Sequence, residues 1–148
     1  FVATYFYLII KAMKKFIYII PAAMLLLASC AASKSAYTVS GEWSVTNING
    51  RSITPSSETP FLGFDTSKGN IYGYTGCNRL TGSIDLKRFA NGKPDFSHMG
   101  MTRMLCPDDT YEREFIDALN KVKTSEVNGN TMLLKDAEGK VVLTLQKK

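Results

Sequence analysis

The chain has 148 residues, with 18 basic and 13 acidic side chains, a net charge of +5 at neutral pH and three cysteines. Lys11, Lys14 and Lys15 precede Cys30 with no acidic residue among them, so residues 30–148 carry 15 basic against 13 acidic groups, a net of +2. A balance this even lacks the clustered basic footprint of a nucleic-acid-binding protein, and no nucleic-acid partner is expected.

The N-terminus fixes the expected compartment. Met13-Lys14-Lys15 is a short basic start, Phe16 to Leu26 is apolar, and Leu27-Ala28-Ser29 places small residues before Cys30. That order reads as a bacterial secretion signal ending in a lipobox, cut before Cys30. A membrane-spanning helix needs about 20 uninterrupted apolar residues, whereas the three lysines split this stretch into Phe1–Ile10 and Phe16–Ala28. Pro21 also suits a signal peptide better than a stable span. Residues 1–29 are therefore expected to be an upstream extension plus a lipoprotein signal peptide, with Met13 as the start. Residues 30–40, small and polar, form a flexible tether. Acyl chains on Cys30 would make the membrane the first partner, since two lipid signals hold where one is marginal. Ala31 follows Cys30 where an inner-membrane retention signal would place an acidic residue, which points to the outer membrane facing the periplasm.

Residues 41–148 form one domain, and most of it alternates with period two. Trp43 and Val45 oppose Glu42 and Ser44, while Val141, Leu143 and Leu145 alternate with Val142, Thr144 and Gln146. Such alternation marks strands with one buried face. Turn chemistry at Asn49-Gly50, Asp65 to Gly69, Asn128-Gly129 and Asp136 to Gly139 separates them. Strands are predicted over 41–47, 61–66, 70–75, 80–86, 94–101, 123–128, 131–135 and 140–146. Tyr111, Phe115, Leu119 and Val122 recur every three to four residues and predict one amphipathic helix, with Asp109 and Glu112 spaced as a capping box. The predicted fold is mainly β: an antiparallel meander of about eight strands curling into a small barrel-like sheet with one α-helix. Trp43 is expected to pack against the last strand, near Val141 to Leu145, joining the two ends of the meander.

Two blocks stand out, Gly76-Cys77-Asn78-Arg79-Leu80-Thr81-Gly82 and Thr102-Arg103-Met104-Leu105-Cys106. With Trp43 in the first strand and Glu112-x-x-Phe115 in the helix, they give 41–146 a resemblance to the META domain, or HslJ-type heat-shock family. Ser83-Ile84 departs from the aromatic residue frequent in the family after Gly82. The resemblance implies a β-rich barrel-like domain, often on secreted or lipid-anchored envelope proteins and linked to stress responses, and it carries over no established catalytic mechanism or cofactor. Gly76 and Gly82 suit positive φ or close backbone approach, and Asn78 can hydrogen-bond the loop. Cys77 and Cys106 are the thiols left once Cys30 is acylated. In an oxidising compartment they read as a disulfide, the alternative being two buried thiols acting as small apolar groups.

The residues offer little chemistry beyond this. A Cys–His nucleophile would need His98, the one histidine, within hydrogen-bond distance of a thiol. One histidine and two cysteines fall short of a zinc set, and helix capping accounts for Asp108-Asp109. Phe64, Tyr72 and Tyr74 line a ligand cavity in one reading and pack the sheet in the other. Met99, Met101 and Met104 read as gap-fillers. The expected function is a non-enzymatic envelope protein that binds a protein or envelope component, without cofactor or metal. The alternative is a carrier that holds a small ligand inside the barrel.

Overall fold

In the computed structural model the described residues are 39–107 and 110–148. Cys30, the signal and residues 30–38 of the tether lie outside them. Nine strands run β1 Gly41–Ile48, β2 Arg51–Ser52, β3 Phe61–Asp65, β4 Asn70–Tyr74, β5 Arg79–Ser83, β6 Met99–Met101, β7 Thr124–Asn128, β8 Thr131–Lys135 and β9 Val141–Lys147. Helix α1 (Leu86–Ala90) lies between β5 and β6, and α2 (Glu112–Lys121) between β6 and β7. All pairings are antiparallel, in one sheet of order β6-β5-β4-β3-β1-β9-β8-β7, with β2 paired to β1. The fold is thus mainly β and barrel-like, as the period-two pattern predicts. The sheet does not close, because β1 and β9 meet in its middle and leave β6 and β7 at its ends.

The inward row runs across the pairing. Trp43 faces Leu62, Leu62 faces Gly73 and Gly73 faces Leu80, while Val45 faces Leu145, which faces Met132. A register shift between Val45 and Asn47 resets the phase of β1, so that the next buried residue is Ile48. Helix α2 packs on β9 and β1 and inserts Phe115, Ala118 and Leu119 into the core. Trp43 is fully buried, and its Nε1 donates to the Val39 carbonyl at 2.8 Å. Val39 is itself buried, so packing begins just ahead of β1. Trp43 does lie beside the last strand, opposite Lys147.

Two segments differ from the sequence expectation. Residues 80–86 do not continue as strand, because the Asp85 side chain accepts from Lys87 N and Arg88 N and starts α1. Phe89 of that helix then packs on Phe64, with ring centroids 5.2 Å apart. Residues 94–101 are strand only at Met99–Met101, since the Asp95 carboxylate accepts from Ser97 N and Oγ and turns the chain.

Candidate functional site

The two sequence blocks meet at Asn78. Thr75 to Asn78 form the turn between β4 and β5, closed by Thr75 N donating to Asn78 O at 2.9 Å. Gly76 sits at φ +101°, which a side chain rarely adopts, and a Cβ there would come within 3.2 Å of the Glu58 carbonyl. Asn78 is buried, and its carboxamide is oriented by its partners. Oδ1 accepts from Thr102 Oγ1 at 2.7 Å and Met104 N at 2.8 Å. Nδ2 faces the Met104 carbonyl at 3.3 Å, both oxygens of Glu112 at 3.0 and 3.1 Å, and Cys106 Sγ at 3.0 Å. Thr102 completes the link, accepting from Arg79 N at 3.0 Å. Gly82 serves a close approach instead: a Cβ there would lie 2.5 Å from the His98 carbonyl on the segment entering β6.

Glu112 is the charged member of this cluster. Its carboxylate accepts from the Thr75 hydroxyl, from Asn78 N at 3.0 Å and from Asn78 Nδ2. Burial pushes its pKa up, but the hydrogen bonds from Thr75 and Asn78 outweigh that and hold it below the ordinary glutamate value. It also sits in the first turn of α2, where the helix dipole favours negative charge. The expected capping box is not formed as read: Glu112 turns to the β4–β5 turn, the N-cap residue is Tyr111 with no side-chain cap bond, and Asp108 and Asp109 lie outside the described residues. Thr75 is thus the member that sequence reasoning missed, and Glu112, read there as a capping residue, is the one whose partners it misplaced. Their signal was present, Thr75 directly before Gly76-Cys77-Asn78 and Glu112 at the helix start.

Cys77 and Cys106 are bonded, with Cα atoms 5.9 Å apart. The bond ties the β4–β5 turn to the loop leading to α2, the same two segments that Asn78 joins by hydrogen bonds. Glu112 Oε1 lies 3.5 Å from Cys106 Sγ. A carboxylate this close raises the cost of a thiolate, the reverse of the electropositive surroundings of reactive cysteines. His98 is exposed on the segment before β6, and no Cys–His pair forms with the sulfurs bonded to each other. Cys77, Cys106 and Glu112 bring potential ligand atoms within 4.8 Å of one another. With both sulfurs in the disulfide, the cluster keeps one anionic ligand, already occupied by N–H and O–H donors.

The arrangement grips the backbone of residues 102–106 and leaves side chains outside. Met104 is 60% and Leu105 100% exposed, and Met101 beside them is 40% exposed. Met101 and Met104 therefore do not fill gaps, whereas Met99 packs on the core. An open cleft of about 600 Å³ runs from Met101 and Cys106 past Pro107 to Arg113 and Asp117 on α2. The aromatic trio divides: Phe64 is in the core, and Tyr72 is on the opposite face of the sheet.

A search of curated proteins finds no match to the chain. Among solved structures, one protein determined by NMR aligns with a TM-score of 0.61 at 23% identity, over 77% of this chain and 94% of its own. Another NMR structure, of a protein from Burkholderia xenovorans, aligns with a TM-score of 0.59 at 25% identity, over 80% of this chain and 88% of its own. The META domain family matches residues 36–148, a span that holds the whole sheet, both helices and the Asn78 cluster. The chain belongs to the META domain family.

Proposed function

We propose that this is a non-enzymatic, lipid-anchored protein of the HslJ type, held by acylated Cys30 on the outer membrane facing the periplasm. Its domain binds a protein partner of the envelope and serves stress tolerance. The observation that carries this reading is the Met104-Leu105 loop. Asn78 holds both the N–H and the carbonyl of Met104, so two apolar side chains stand in water on a fixed backbone. Exposed apolar groups held in place favour a partner surface. The carrier reading has less support, because Trp43, Leu62, Phe64, Phe115 and Met132 fill the interior with side chains.

The test is crosslinking and pull-down of the anchored protein from its own envelope, with Leu105→Asp beside the native chain. A captured protein that Leu105→Asp loses supports the reading, and equal capture by both refutes it. The anchor is tested by acyl labelling and detergent partition of Cys30→Ala, which should leave the membrane fraction with its domain still folded. Retention there would refute the lipobox.

A further inference from the structure

The two ends of the sheet are finished differently. At β7 the loop around Gly92 meets the strand, where Ser125 N turns away from β8 and donates to Gly92 O at 2.9 Å. Lys123 and Glu126 add charge along the same edge, a common guard against stray pairing. At β6 no strand lies on the far side among the described residues. Its sequence, Met99-Gly100-Met101, holds no charge and no proline.

The register shows which backbone groups the β6 edge presents. Leu80 faces Met101, Thr81 faces Gly100 and Gly82 faces Met99. One step on, Thr102 N donates to Arg79 O at 3.1 Å across the same pair. Antiparallel pairs alternate, so Gly100 shares the orientation of Thr102, while Met99 and Met101 point N–H and C=O away from β5. Two residues apart on an extended chain, these donors and acceptors have the spacing of another extended polypeptide backbone. The side chains add a second feature. Met101 continues the inward row from Leu80, yet it is 40% exposed because the row ends there. The cleft beside it runs to Arg113, Ile116 and Asp117 on α2. Glu112 and Glu114 in its lining are already engaged by Asn78 and Arg51, and Arg113 and Asp117 carry opposite charges, so the cleft selects for neither sign.

We propose that β6 is a docking strand for an extended segment of a partner protein. The segment hydrogen-bonds to Met99 and Met101 and lays an uncharged apolar side chain in the cleft between Met101 and Ile116. Main-chain bonds supply the grip and the cleft supplies the selection, as in other strand additions to a sheet edge. This deepens the reading of the Met104-Leu105 loop as a protein-binding surface and rests on it. A second copy of the chain fits less well: it would offer its own β6, whose Met99 already packs on its own core and brings no side chain to the cleft.

The test uses a displayed library of random heptapeptides, selected against the full chain in detergent and then synthesised singly. Amide hydrogen exchange by NMR reads the edge directly. In the free protein the Met99 and Met101 amides should exchange faster than that of Gly100, and a selected peptide should slow both at least about tenfold. Met101→Pro removes one of these donors where an edge strand tolerates proline, so it should weaken the peptides at least about tenfold. Trp43 fluorescence checks that the variant folds, and if it does not, the exchange pattern alone decides. A library that yields no peptide, bound peptides that leave both amides unprotected, or affinity unchanged in Met101→Pro would overturn the proposal. A concentration-dependent dimer that Met101→Pro dissolves would assign the edge to a second copy and overturn it too. Envelope capture that Met101→Pro keeps and Leu105→Asp loses would overturn the docking strand while leaving the partner surface standing.

Discussion

Asn78→Ala is the sharpest probe of the cluster that joins the two sequence blocks. The substitution removes the acceptor of Thr102 Oγ1 and Met104 N, and the donor to Glu112 and the Met104 carbonyl. Neutral hydrogen bonds contribute about 1 kcal/mol each, and one to a charged group about 1.5–3 kcal/mol. Asn78 N still reaches Glu112 and Thr75 in the variant, and water can reach the exposed Thr102 and Met104. The net loss should therefore be about 2–4 kcal/mol, below the gross sum. Urea unfolding of the oxidised protein measures it, followed by the fluorescence of Trp43, the one tryptophan and wholly buried. Asn78→Asp sharpens the test, because it keeps the shape but sets a second carboxylate about 3 Å from that of Glu112, so the two resist ionising together. Its deficit against the native chain should be large at neutral pH and shrink as the pH falls through the aspartate range. A loss below about 1 kcal/mol in Asn78→Ala, or an Asn78→Asp protein as stable as the native one at neutral pH, would refute the reasoning.

Glu112 has a lowered folded pKa, so its contribution is complete above the ordinary value of 4.5 and is lost as pH falls through the lower folded value. Glu112→Gln should flatten that acid limb of the stability profile, and an unchanged limb would assign it to other carboxylates. Reduction of Cys77–Cys106, which closes a loop across 29 positions, should lower the urea-derived stability by up to about 3–4 kcal/mol. Thiol titration in denaturant should detect neither cysteine before reduction, and two reactive thiols there would contradict the bond. Trp43→Ala should cost about 3–5 kcal/mol in the same unfolding assay, read by circular dichroism, and a loss under about 1 kcal/mol would contradict its burial.

The strands were legible where one face is buried and a turn marks each end, as from β3 through β5 and from β7 through β9. Short-range side-chain chemistry defeated the pattern elsewhere. Ile84 and Leu86 keep the alternation of β5, yet Asp85 between them caps a five-residue helix. Pro94 and Phe96 look like strand, yet Asp95 folds its carboxylate onto Ser97. Periodicity carries no information on either event, because both depend on one carboxylate reaching a backbone N–H two or three residues on. The cluster was legible as two blocks but not as one network. Glu112 has the spacing of a capping residue, and nothing local reveals partners 34 and 37 positions earlier.

The placement of β1 beside β9 governs the order in which the chain can fold. Strands β3, β4 and β5 pair with their sequence neighbours and can form hairpins as soon as they emerge from the ribosome. Trp43 waits much longer: one flank of its strand stays bare until Leu143 to Lys147 arrive, about a hundred residues later. Until then the half that holds Cys77 and Cys106 can be cross-linked while the centre of the sheet is unmade, leaving a partly stapled chain with an open β1 edge for chaperones to guard.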